Sequence, residues 1–138
     1  MNIKRKVGQL VKKHGTNNPF VIAKEKGILI RRLPLGSLLG YHTRKCRVSI
    51  IHINEDSSQE EQLFTCCHEL GHAVLHPEVN TSFLKSHTYY STDKIEQEAN
   101  LFAVELLFQQ GGGQSITIKE AIEQYGIPEQ LLIKIFYH

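Results

Sequence analysis

Residues 65–76 read Thr-Cys-Cys-His-Glu-Leu-Gly-His-Ala-Val-Leu-His and contain a His-Glu-x-x-His pattern. Helical residues four positions apart lie one turn above each other on the same face, so His68 and His72 can direct imidazole nitrogens at one metal ion. This spacing is typical of a zinc site. The pattern therefore predicts a metal centre built on one helix.

Glu69 follows the first of these histidines and is rotated from it by about 100° around a helix. Its carboxylate is thereby placed beside the metal, where it can hold a metal-bound water. Zinc lowers the pKa of such a water to about 7 and polarises a carbonyl, while the carboxylate takes a proton from the water and passes it to a leaving amine. This combination predicts peptide hydrolysis by a zinc enzyme with Glu69 as the general base.

A chance match is the alternative explanation of the motif. With 8 His among 138 residues, a shuffled chain would contain about 0.04 such patterns. The surrounding residues favour a real helix, because residues 59–62 form a polar first turn and Pro77 stops the helix after His76.

A catalytic zinc usually has three protein ligands, and the motif supplies two. One group of enzymes adds a His six residues after the second, beyond a Gly, but Leu75 and Glu78 occupy those positions here. His76 lies a full turn beyond His72 and is more simply a helix C-terminal cation or cap. The other common solution is a Glu from a following helix, where the candidates are Glu96, Glu98 and Glu105.

Helix geometry favours Glu96 over its neighbour Glu98. It shares a face with Ala99, Asn100 and Ala103, whereas Glu98 is turned about 200° away and falls where an exposed residue is expected. The two alanines would allow a close approach to the helix that carries the motif. Asn100 is placed to orient a zinc-binding imidazole by a hydrogen bond.

Residues 77–91 show no clean periodicity, and irregular segments of this length are usually functional. Three side chains in this segment could stabilise the oxyanion of a tetrahedral intermediate: His87, Tyr89 and Tyr90. Exposed loop aromatics without such a role are the alternative.

Composition indicates one soluble globular domain spanning residues 1–138, with 41% hydrophobic and 22% charged residues. No apolar run approaches the roughly 20 residues of a membrane helix, and the basic start leads into no signal-peptide segment. We therefore expect a cytoplasmic protein without a membrane partner. Cys46, Cys66 and Cys67 are expected to be reduced, and Cys67 is expected to be a small buried hydrophobe rather than a ligand or reactive thiol.

The formal net charge of +2 is too small to indicate a direct nucleic-acid partner. Basic residues concentrate before residue 50, where only Glu25 opposes them. That region is interpreted first as a solvated face and second as a surface for an acidic partner.

The hydrophobic pattern predicts an α+β fold. Helices are expected over residues 2–14 and from Pro19 to Gly27, and extended segments over residues 28–33, 38–42 and 47–53. These would form a small antiparallel sheet of about three strands packed on the motif helix. A second helix over residues 94–108 carries the glutamates.

A helical tail, residues 114–138, completes the chain with helices over residues 118–125 and 128–137. The two helices look like a DNA-binding helix-turn-helix. Residues 116–138, however, carry two Lys against three Glu, a net charge of −1, so packing is the better interpretation.

The sequence HELGHAVLH, followed by EQEANLFAVELL at residues 96–107, resembles the ImmA/IrrE family of zinc metallopeptidases. Asn18-Pro19-Phe20 also fits, and the resemblance covers residues 17–108. It implies a single zincin-like domain of the gluzincin type. It also supports Glu96 as the third ligand, since the family pattern is Glu, two variable residues, then Ala-Asn.

Members of that family occur in phages, integrative elements and bacterial chromosomes, and cleave a helix-turn-helix repressor. The resemblance therefore implies a protein substrate, a DNA-binding repressor. Phe108-Gln109-Gln110 departs from the family's usual Leu-Leu-Met-Pro ending. The alternative function is a catalytically silent zinc-fold module that acts by protein–protein interaction.

Overall fold

The structure, a computed structural model, describes residues 2–84, 88–109 and 116–137. These residues form six helices and four strands in one α+β unit, which confirms the predicted fold class. The elements in chain order are α1 (Ile3–His14), α2 (Pro19–Glu25), β1 (Leu29–Leu33), β2 (Leu38–Lys45), β3 (Val48–Asn54), α3 (Gln59–Leu75), β4 (Thr81–Leu84), α4 (Lys94–Leu107), α5 (Ile118–Glu123) and α6 (Glu129–Phe136).

Polar side chains fix the starts of the helices that carry the site. Ser58 and Glu61 form a capping box at the start of α3, in which each side chain satisfies the other's backbone N–H. The Asp93 side chain accepts a hydrogen bond from the Ile95 N–H at the start of α4. Asn18 caps α2 in the same way, with Pro19 at its first position.

The sheet has the order β1-β3-β2-β4 and is mixed, so the expected antiparallel sheet of about three strands requires correction. β2 pairs antiparallel with β3 and with β4, but β1 pairs parallel with β3. Two chain reversals explain this: β2 runs opposite to β1, and β3 runs opposite to β2. Because β2 and β3 are joined by a tight hairpin, β1 takes the free side of β3 and lies parallel to it.

The loop of that hairpin is shorter than the gap between the extended segments expected over residues 38–42 and 47–53. β2 extends to Lys45, which pairs with Val48, and the loop is only Cys46-Arg47. Both loop residues have positive φ, 52° and 65°, as a two-residue type I′ turn requires.

The fourth strand lies in the segment that was expected to be an irregular loop. β4 runs from Thr81 to Leu84 along β2, with a register irregularity between Leu38 and Gly40. Thr81 and Phe83 are buried and Ser82 is exposed, as a half-buried strand requires.

α3 occupies the centre of the fold between the sheet and α4. Its residues from Phe64 to His72 are all buried. Side chains from the sheet, α2 and α4 join the same core, including Ile22, Ile51, Ile53, Phe83 and Phe102. Leu131 and Leu132 of α6 also belong to this core, so the part of the tail that is described packs onto the domain.

No helix within residues 2–84, 88–109 and 116–137 combines the length and the apolar character needed to cross a membrane.

Candidate metal centre

Three potential ligand atoms converge between α3 and α4. The Nε2 atoms of His68 and His72 lie 3.2 Å apart on the buried face of α3. The Glu96 Oε1 atom lies 3.1 Å from the first and 3.0 Å from the second. Among the described residues, these three form a group whose ligand atoms all lie within 4.8 Å of one another. The structure thus brings together the three residues that the sequence analysis assigned to the metal.

Small residues allow the two helices to approach. Ala99 and Ala103 of α4 are fully buried, in agreement with the face predicted for Glu96. Gly71 of α3 contributes what the sequence analysis did not consider: a Cβ added there would lie 3.0–3.1 Å from atoms of Phe102. The absence of a side chain at Gly71 therefore allows α3, with two potential ligands, to lie close to α4, which carries the third.

The surroundings favour protonation states that suit a metal ion. Burial lowers the pKa of His68 to about 4, against the raising effects of Glu96 and Asn100. For Glu96, burial acts to raise the pKa. The contacts with His68 and His72 outweigh the effect of burial and lower that pKa to about 2. At neutral pH the site therefore offers a neutral imidazole at His68 and an ionised carboxylate at Glu96.

Glu69 is fully buried on the same helix, directly after His68. The Thr81 hydroxyl donates to its Oε1 at 3.4 Å, while its Oε2 has no hydrogen-bond partner among the described residues. Burial and the charge of Glu96 raise the pKa of Glu69 well above its ordinary value, and Thr81 acts in the opposite direction. A bound cation would also favour the ionised form.

Asn100 lies one turn after Glu96, where the sequence analysis placed it. Its Nδ2 donates to the backbone oxygen of Thr88 at 3.0 Å, which fixes the orientation of the amide. Two buried atoms nearby, Asn100 Oδ1 and His68 Nδ1, have no hydrogen-bond partner within the described residues. They are a complementary acceptor and donor, and Asn100 raises the pKa of His68 as a hydrogen-bond partner does.

The structure describes two of the three residues that were suggested as oxyanion stabilisers, and they differ in exposure. Tyr89 is buried in an aromatic cluster, with its ring 5.1 Å from Phe83, which in turn contacts His68. Tyr90 is 58% exposed. His87 lies outside the described residues.

Three further predictions concern residues around the motif. His76 is the C-cap of α3, as the sequence analysis favoured. Glu98 was expected to be exposed, but its side chain is only 18% exposed, and its Oε1 lies 2.8 Å from His76 Nε2. Cys66 and Cys67 are free and buried, and burial raises the pKa of both thiols, so they are protonated at neutral pH.

A His-Glu-x-x-His helix that meets a Glu from a following helix, on an α+β fold, has the donor set of the metallopeptidases. Residues 23–111 match the model of the IrrE N-terminal-like domain, which defines peptidase family M78. The chain belongs to this family, as the resemblance predicted.

Two relatives share 39% identity with the chain. A protein of Bacillus phage phi105 bears the name uncharacterized immunity region protein 2, and its alignment of 135 residues covers 94% of this chain and 85% of the phage protein. Metallopeptidase ImmA of Bacillus subtilis strain 168 aligns over 107 residues, 76% of this chain and 62% of ImmA. The chain therefore spans less than two thirds of ImmA's length.

Proposed function

We propose that the chain is a zinc-dependent endopeptidase in which His68, His72 and Glu96 hold the metal and Glu69 is the general base. The observation that carries this proposal is the convergence of three ligand atoms from two helices within 4.8 Å. Membership of a peptidase family supports the same activity.

The residues at this site fit a zinc ion. Two imidazoles and one carboxylate are an established ligand set for catalytic zinc, which keeps a further position open. The structure also shows a buried carboxylate oxygen, Glu69 Oε2, without a hydrogen-bond partner among the described residues. A buried acceptor of this kind is costly unless it binds a proton donor, such as the attacking water.

A bound zinc ion would supply a Lewis acid that polarises the scissile carbonyl and lowers the pKa of a coordinated water. The chain's own residues account for the proton transfers. Glu69 would accept one proton as the water oxygen bonds to the carbonyl carbon, and would donate it to the amide nitrogen as the C–N bond breaks. Thr81 would hold the carboxylate through its hydrogen bond to Oε1.

The proposed substrate is a DNA-binding repressor with a helix-turn-helix domain. This follows from the family resemblance rather than from the geometry of the site. The name of the phi105 relative supports it, because that name places the relative in a phage immunity region. The name of the Bacillus subtilis relative supports the metallopeptidase activity.

The test incubates the purified chain and zinc with the repressor encoded beside its gene and follows the mixture by mass spectrometry. We expect one defined cut in the repressor. Glu69→Gln should bind zinc but abolish the cut, because the amide keeps the shape of the side chain and cannot accept the proton.

Unchanged cleavage by Glu69→Gln would refute the proposed role of Glu69. Zinc binding without any cut by the wild-type chain would favour the silent binding module. Salt-dependent DNA binding by the chain alone would instead indicate a transcription factor.

A further inference from the structure

His72 has a second ring nitrogen that faces away from the proposed metal position. Its Nε2 faces His68 and Glu96, whereas its Nδ1 lies 3.1 Å from Nδ1 of His76. The other nitrogen of His76, Nε2, lies 2.8 Å from Glu98 Oε1. Glu98, His76 and His72 therefore form one continuous hydrogen-bonded chain that ends at a proposed metal ligand.

We propose that His76 and Glu98 are positioning residues, which fix the ring orientation and tautomer of His72 for metal binding. This inference rests on the proposed zinc site. It goes beyond that site because neither residue is assigned a role there, and because the sequence analysis interpreted His76 as a helix cap and Glu98 as an exposed residue.

Metal binding by His72 would fix the direction of each hydrogen bond between His72, His76 and Glu98. An imidazole that gives its Nε2 lone pair to a metal carries its proton on Nδ1, so His72 Nδ1 must donate. His76 Nδ1 must then accept, which leaves the proton of His76 on Nε2. That N–H donates to the Glu98 carboxylate, which only accepts when ionised. The ring nitrogens of His72 and His76 and the carboxylate of Glu98 can thus each take the donor or acceptor role that the metal-bound state requires.

The geometry excludes His76 as a ligand to the same ion. A ligand would have to reach the side of His72 that carries Nε2, and His76 instead contacts the opposite nitrogen. Both His76 and Glu98 are shielded from water, with side-chain exposures of 8% for His76 and 18% for Glu98. Low exposure strengthens such contacts relative to those in bulk water.

The end of α3 and the body of α4 place this pair. His76 is the C-cap of α3, and its backbone N–H donates to the His72 oxygen at 2.7 Å, which holds it one turn beyond the ligand. Glu98 lies on α4, two residues after Glu96. The same helix therefore supplies the proposed third ligand and the anchor of the chain that orients the second.

The test measures zinc affinity of the full chain by competition with a chelator. His76→Phe keeps a ring but removes the acceptor and should weaken zinc binding 10- to 100-fold. In His76→Asn, the side-chain oxygen can replace the Nδ1 acceptor, so this variant should recover most of the lost affinity. Glu98→Ala should weaken binding less than His76→Phe does.

A double variant separates positioning from general stability. If Glu98 acts through His76, adding Glu98→Ala to His76→Phe should cause no further loss of zinc affinity. Glu105→Ala, two turns further along α4, is the matched control and should bind zinc like the wild type. The absorption spectrum of the cobalt-substituted protein should change in His76→Phe and return towards the wild-type spectrum in His76→Asn. Thermal melts check that each variant is folded.

Wild-type zinc affinity in a folded His76→Phe variant would overturn the inference and leave the proposed zinc site intact. Equal losses in the Phe and Asn variants, with an unchanged cobalt spectrum, would show a structural role only and would also overturn it. Additive losses in the double variant would overturn the link from Glu98 through His76. A wild-type chain that binds no zinc would instead refute the proposed function, and this inference with it.

Discussion

At the scale of single residues, Glu96 links the two histidines of α3 to the next helix. Its Oε1 is within 3.1 Å of both Nε2 atoms, and its pKa is lowered to about 2 because these contacts outweigh the effect of burial. A carboxylate that stays ionised in a half-buried place is well suited to bind a cation.

Glu96→Ala should therefore lower zinc affinity by more than the 10- to 100-fold typical of an outer hydrogen-bond partner. Glu98→Ala is the matched comparison on the same helix and should stay within that range, because it acts only through His76. Titration of both variants with zinc and a competing chelator makes the measurement. Wild-type affinity in Glu96→Ala together with a large loss in Glu98→Ala would reverse the assignment.

The positions of His68 and His72 could be predicted because one helix places residues four apart on one face, whatever surrounds it. Glu96 required a choice among three glutamates, and the face shared with Ala99 and Ala103 indicated it correctly as the residue that meets the histidines. The contact between Glu98 and His76 could not be predicted in this way. That contact depends on where the end of α3 lies relative to α4. The sequence pattern of one helix does not contain this information.

At the scale of elements, Gly40 controls how β2 fits between its neighbours and α3. A Cβ at this position would lie 2.6 Å from the His52 backbone oxygen on β3 and 2.6 Å from the Thr65 side-chain methyl on α3. The first of these atoms belongs to the backbone of a central strand and cannot move aside without shifting the sheet.

Gly40→Ala should destabilise the fold by about 1–3 kcal/mol, the usual cost of overpacking. Gly8→Ala is the control with the opposite sign. Gly8 lies within α1, where an added Cβ meets no heavy atom within 4 Å, so the change should stabilise by about 0.5–1 kcal/mol. Urea unfolding of both variants measures the two free energies. A Gly40→Ala variant as stable as the wild type would show that the sheet relaxes around the new methyl.

Most helices could be predicted from local signals, since Asn18-Pro19, Asp93 and Gly15 act within a few residues of the ends that they mark. β4 could not, because its four residues are too few to show a period and it forms only where β2 offers an open edge. The parallel pairing of β1 with β3 was missed for a related reason. Strand order depends on which edge remains free after the β2–β3 hairpin has formed, and this is a property of the whole sheet.

At the scale of the molecule, the proposed metal site joins elements that are far apart in sequence. His68 and Glu96 are separated by 28 positions, and the segment between them includes β4, which supplies Thr81 next to Glu69. A metal bound by α3 and α4 together would therefore stabilise the packed domain, since the unfolded chain cannot present these groups in one place.

Zinc should raise the melting temperature of the whole chain. A ligand that binds only the folded state at a hundredfold excess over its Kd stabilises by about 2.7 kcal/mol, which for a domain of this size corresponds to roughly 5–12 °C. Glu69→Gln should show the same rise, because it keeps all three proposed ligands, and His72→Ala should lose most of it. Magnesium is the control ion, since it prefers oxygen ligands to imidazole. Calorimetric scans with each ion make the comparison, and an equal rise in wild type and His72→Ala would place zinc elsewhere on the protein.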